Sequence, residues 1–145
     1  MVSEINKIAA RFKDGRVSKG TTHDFLPGKP FFHLHLAGSS EAVLVQVEDL
    51  KAIFFVKDFA GKPEYRESKV FPDEVPAAKG HKIAVVFKDG ETLTGFTFAY
   101  DPGRSGFFIV PTDAKSNNER VFVVRSAVKE VALGLKADQL LAKSI

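Results

Sequence analysis

Residues 82–103 read KIAVVFKDGETLTGFTFAYDPG, and residues 7–28 read KIAARFKDGRVSKGTTHDFLPG. At an offset of 75, 11 of these 22 positions are identical, among them Phe12/Phe87, Asp14-Gly15/Asp89-Gly90, Gly20/Gly95 and Pro27-Gly28/Pro102-Gly103. The match runs on through Phe32/Phe107. Three additional residues in the second copy then move the offset to 78, where Val43-Leu44-Val45 meets Val121-Phe122-Val123 and Leu50-Lys51-Ala52-Ile53 meets Val128-Lys129-Glu130-Val131. The chain reads as an internal duplication, so whatever one unit folds into, the other follows.

Each unit reads as a run of short strands. Ile8, Ala10 and Phe12, like Ile83, Val85 and Phe87, alternate as half-buried strands do. Asp14-Gly15 and Asp89-Gly90 signal tight hairpins, with glycine taking the positive φ such turns need. Gly20 and Gly95 fall mid-strand, where a small barrel bends sharply. Three more strands follow in each copy, at 31–36, 42–47 and 50–56, and at 106–110, 120–125 and 127–133. The expectation is an all-β chain of two tandem five-stranded barrels, over residues 1–57 and 82–133. Residues 58–81, with three Pro and two Gly among mixed charges, read as a connector in which Tyr65 to Phe71 can add an edge strand. Residues 134–145 read as a tail whose short helix docks Leu140, Leu141 and Ile145 on a barrel.

Composition bounds the function. A chain of 145 residues that is 44% hydrophobic and 27% charged folds and dissolves, and its aromatic packing rests on 14 Phe against two Tyr and no Trp. Cysteine is absent, which excludes disulfides, thiolate nucleophiles and cysteine zinc sites. No apolar run approaches the roughly 20 residues of a membrane helix, and the opening MVSEINKIAARFKDG lacks a signal-peptide core. The expected address is therefore cytoplasmic. A net charge of +3 is compatible with an anionic partner without demanding one.

The duplicated unit resembles the Sm-like, SH3-type small β-barrels. Val85-Val86-Phe87-Lys88-Asp89-Gly90-Glu91-Thr92-Leu93-Thr94-Gly95 with Asp101 looks like that family's first motif, and Val123-Val124-Arg125-Ser126, followed by Val128 and Val131, is similar to its second. The resemblance implies a bent five-stranded barrel and, more distantly, RNA binding; Ser105 stands where the family carries its RNA-contacting Asn, and Ser126 where it carries a Gly. The stretch Thr112 to Val124 also resembles a segment of uncharacterised bacterial small-barrel proteins. Arg11/Arg16 and Arg120/Arg125 do not match the RxxxR arm of the PilZ second-messenger barrels, nor does Asp101 to Gly106 match their DxSxxG strand.

No catalytic signature is present, and the expectation is a non-enzymatic binding or regulatory module. Four constellations remain. His33 and His35 share one strand face, and a hairpin turning about Gly28 sets His23 opposite His33; three imidazoles there can bind Zn²⁺ or a similar ion, or simply form a wet sheet face. The second copy has Phe98, Phe108 and Val110 at those positions, either packed or an interaction patch. Arg11, Lys13, Arg16 and Lys19 make a basic cluster. The long loop 111–120 carries Asn117 and Asn118, with Arg104, Arg120 and Arg125 placed to converge near its base on a phosphate or carboxylate. A protein partner is expected ahead of RNA, with homo-oligomerisation open. An unpaired strand edge or apolar patch would favour protein, and a basic groove with aromatic platforms would favour RNA.

Overall fold

The computed structural model describes residues 5–59, 71, 80–98, 100–113 and 116–144. Tyr65 to Val70 of the expected edge strand lie outside them. The first five strands are β1 (Asn6–Phe12), β2 (Val17–Thr22), β3 (Phe31–Leu36), β4 (Ala42–Gln46) and β5 (Leu50–Val56), with a 3₁₀ turn, Val47–Asp49, before β5. The next five are β6 (His81–Phe87), β7 (Thr92–Thr97), β8 (Gly106–Pro111), β9 (Asn118–Val124) and β10 (Val128–Leu133), with a 3₁₀ turn, Arg125–Ala127, before β10. Helix α1 (Leu135–Ser144) ends the chain.

The two halves are built on one register. Ile8 faces Gly20 on β2, and Ile83 faces Gly95 on β7. Gly20 then faces Leu36, as Gly95 faces Pro111. Phe32 faces Val45, as Phe107 faces Val123. The irregularity recurs as well: pairing steps over Lys51 between Leu50 and Ala52, and over Lys129 between Val128 and Glu130. At each crossing glycine is required by space. A Cβ on Gly20 would lie 2.1 Å from the His35 carbonyl oxygen, and one on Gly95 would lie 2.2 Å from that of Val110.

The expectation of two separate barrels is corrected. All ten strands form one open sheet in the order β10-β6-β7-β8-β9-β5-β1-β2-β3-β4, because β5 also pairs with β9. The reason lies in β5 itself. Its sequence LKAIFFV is buried at every position, a pattern of strands covered on both faces. Ile53 and Phe55 enter one core with Ile8, Phe32, Leu34 and Phe122. Ala52 and Phe54 enter the other with Val85, Phe87, Ile109 and Val121. The central strands thus carry a core on each face, and each half lends residues to the other's core.

Helix α1 closes the outer side of the second half. Gly134, at φ +59°, turns the chain out of β10. Ala137, Leu140 and Leu141 then pack on Ala84, Phe96 and Phe71, and Asp138 meets Lys82 at 3.2 Å. Among the described residues no helix is long and apolar enough to cross a membrane.

Candidate functional site

A cleft of about 750 Å³ opens where the ends of both halves meet. One wall comes from the β2–β3 connection (residues 28–30) and the exit of β4 (residues 46–48); the other comes from Tyr100, residues 103–105, the end of β9 and residues 128–131 of β10. Backbone bonds fix this frame. The Val47 amide donates to the Pro30 carbonyl at 2.9 Å, and the Arg125 amide donates to the Ser105 carbonyl at 2.9 Å. Asp101 folds the β7–β8 connection by accepting from the Gly103 amide at 2.8 Å, an Asx turn. The Tyr100 ring stands edge-on to Phe107, centroids 4.9 Å apart.

The cleft is lined by four cations, Lys29, Arg104, Arg125 and Lys129, against Glu48 and Glu130. Arg104 leans on Asp101 at 3.5 Å, with both side chains largely exposed, and Lys29 lies over the Phe31 ring at 5.2 Å. Among the described residues, Lys29, Arg125 and Lys129 make no ion pair. Such a surplus of donors suits carboxylate or phosphate groups.

Along one side of the cleft runs β10. Among the described residues it pairs only with β6, and none of them lies as a strand along its other edge. Past that edge lies a shallower groove bordered by Tyr100, Val131, Leu133 and Leu135. Leu133 is 39% exposed and Leu135 80%.

The structure brings together only part of the expected arginine set. Arg104 and Arg125 share the cleft. Arg120 does not converge with them: its guanidinium stacks on Phe55 at 4.3 Å and on Phe108 at 4.8 Å, covering aromatic rings at the β5–β9 seam. Asn117 clamps the exit of β5 instead of facing the cleft. Its side-chain amide donates to the Asp58 carbonyl, and its side-chain oxygen accepts from the Asp58 amide. Asn118 enters the sheet opposite Val56, and its amide donates to the Ser116 hydroxyl.

The apolar triplet also divides. Phe108 packs among Phe25, Phe55 and Phe122, whereas Phe98 and Val110 are exposed. Each member of the basic cluster is engaged locally. Arg11 stacks on Phe54 and Arg16 on Phe12, Lys13 donates to the Ser126 hydroxyl, and Lys19 donates to the Phe59 carbonyl.

The three imidazoles do not form a metal-ligand set. β2 and β3 do turn about Gly28, but the pairing ends at Thr21 opposite His35, so His23 is not held opposite His33. His23 stacks on His35, centroids 5.4 Å apart, while His33 Nδ1 turns to Asp24 Oδ2 at 2.7 Å. Among the described residues no group of three His, Asp or Glu is placed to hold a metal. Burial opposes ionisation of Asp24, but the His33 ring, the His33 amide and the Thr22 hydroxyl outweigh it and bring its pKa down to about 2. His81 is exposed at the start of β6.

Sequence reasoning missed Lys29, Lys129 and Tyr100 as cleft residues, and β10 as an edge strand among the described residues. One signal was present: Lys129-Glu130 puts a second charge where the first half has Lys51-Ala52, the mark of a strand edge left in water.

Comparison with known proteins gives one family. The model of DUF6982, a family of unknown function, matches residues 4–134, and no Sm-like or SH3 family matches the chain. No curated protein and no solved structure matches the chain.

Proposed function

We propose that this chain, which belongs to the DUF6982 family of unknown function, is a non-enzymatic binding module of the bacterial cytoplasm that takes an extended segment of a protein partner as an added strand along β10. The observation that carries this reading is the β10 edge, unpaired among the described residues, running beside a cleft with four cations. An incoming strand meets preset amides and carbonyls, so its backbone gains hydrogen bonds without a specific sequence. Alternate side chains then select the partner: apolar ones toward Val131 and Leu133, acidic ones toward Lys129, Arg125 and Arg104. The bent sheet acts as the rigid scaffold, and the duplicated small-barrel register supplies both walls of the cleft.

The second reading is RNA binding. It draws on one observation: Ser105, which stands where the small-barrel family carries its RNA-contacting Asn, and Arg125 and Ser126 of the second motif line this cleft together with Tyr100. Glu48 and Glu130 in the same cleft weaken the field a phosphate chain would meet.

The test is a displayed library of extended peptides selected against the purified chain, followed by titration of the selected peptides, and of single-stranded RNA, into isotope-labelled protein. The expected result is acidic–apolar peptides that shift the resonances of residues 128–133, Arg104 and Arg125. RNA binding that survives physiological salt, with no peptide selected at β10, would overturn the protein reading.

A further inference from the structure

We infer that β10 accepts β4 of a second copy of this chain, in the register already used between β5 and β9. The inference rests on β10 being a strand acceptor, and it names the partner. Within the chain, the last strand of the first half pairs with the fourth strand of the second: Ala52 faces Val123, Ile53 faces Phe122, Phe54 faces Val121 and Phe55 faces Arg120. Since β10 holds the place of β5 in the second half, and β4 holds the place of β9 in the first, the described residues contain one complete junction and, at each end of the sheet, one half of a junction without its partner among them. Carrying the register across at offset 78 sets Glu130 opposite Val45, Val131 opposite Leu44, Ala132 opposite Val43 and Leu133 opposite Ala42.

Side chains match face by face. In the built junction Ile53 and Phe122 enter the same core. In the transferred one Val131, packed at the rim of the second half's core, meets Leu44, which is 54% exposed on a strand, AVLVQ, without a single charge. An uncharged edge strand, even one of five residues, lacks the charges with which proteins ordinarily protect such edges. Two features make the contact weaker than its template. Glu130 stands where the junction has Ala52. Helix α1 already covers the outer face of β6 and β10, where the junction covers β1 and β5 with the second half. Association is therefore reversible and concentration-dependent. It is also head-to-tail, so copies can add until the ends close on one another.

Sedimentation of the full chain over a wide concentration range tests this. The wild type is expected to show reversible self-association, and Glu130→Ala to strengthen it at least fivefold. Leu44→Lys and Leu133→Lys, both at exposed positions, are each expected to sediment as monomers with unchanged circular dichroism. Mixed one to one, they are expected to restore a dimer and nothing larger, because one retains a good β10 and the other a good β4. A wild type monomeric at every concentration would overturn the inference, while peptide capture at β10 would still stand. Association that persists in either single variant, or fails to recover in the mixture, would also overturn it.

Discussion

Ile53 on β5 stands directly opposite Phe122 on β9, and the pair joins the two halves of the chain into one sheet. Phe122 is buried against Phe25 at 5.0 Å and Phe108 at 5.1 Å, so a strand of the second half completes the core of the first. Two barrels merely tethered would unfold separately; two halves that share β5 and β9 should not.

Phe122→Ala is therefore expected to destabilise the whole chain, by about 3–5 kcal/mol for a fully buried phenylalanine. Urea denaturation should show a single transition in both the wild type and the variant, with the same midpoint by far-ultraviolet dichroism and by resonances from either half. Two resolved transitions would contradict the shared core.

Gly95→Ala tests the bend in β7. The added methyl would sit 2.2 Å from the Val110 carbonyl oxygen and 2.4 Å from Ile109 Cγ2. Backbone cannot yield by that much without breaking the β7–β8 ladder, so a loss of about 3 kcal/mol or failure to fold is expected. Gly103→Ala meets only the Asp101 carboxylate, at 3.3 Å, and should cost under about 1 kcal/mol. Thermal melting of the two variants side by side measures the difference.

Lys51 ties β5 to the β6–β7 turn. Its ammonium contacts Glu91 and Asp89, the latter at 2.7 Å, and lies 4.7 Å from the Phe87 ring centre. Its side chain is only 11% exposed. Lys51→Ala strips the cation from two facing carboxylates and the stem from Phe87, and should cost about 2 kcal/mol. Lys51→Met keeps the stem and should cost less. The Lys51 ammonium, then the Glu91 amide, hold the Asp89 carboxyl below its ordinary range. That contribution is present above about pH 4 and lost on acidification; in Lys51→Met it should shrink, which carboxylate titration by NMR would show.

Asp24 gives the clearest pH dependence. Its pKa of about 2 lies below the ordinary 3.8, so the carboxylate stabilises the fold above about pH 4 and ceases to do so as the pH falls toward 2. Asp24→Asn should be less stable than the wild type by about 1–2 kcal/mol at pH 6, given a side chain one quarter exposed. The gap should narrow toward pH 2. Urea midpoints of the two proteins at pH 6, 4 and 2 check the sign and the size.

Much of the local structure was legible because local chemistry dictates it. Asp14-Gly15 and Asp89-Gly90 fix the hairpins, and Gly20 and Gly95 mark the two close crossings, each visible in the residues alone. The joining of the halves was not. The residues of β5 mark a strand, but which strand covers its second edge is a non-local choice that periodicity does not carry. The candidate site was half legible for the same reason. Arg104 and Arg125 belong to the cleft, whereas Arg120, five residues before Arg125, is drawn off by the Phe55 and Phe108 rings. The three histidines illustrate the limit of strand geometry: it predicts a shared face, but Asp24 decides where His33 points.

The central claim is that β10 receives a partner strand, and amide hydrogen exchange across residues 128–133 tests it most directly. In the free protein, alternate amides of this strand should exchange orders of magnitude faster than those of β5, which is paired on both edges. Saturation with a selected peptide, or concentration into the self-associated form, should slow those same amides at least a hundredfold while β4 in the peptide complex stays fast. Saturated binding that leaves residues 128–133 exchanging as before would contradict the account.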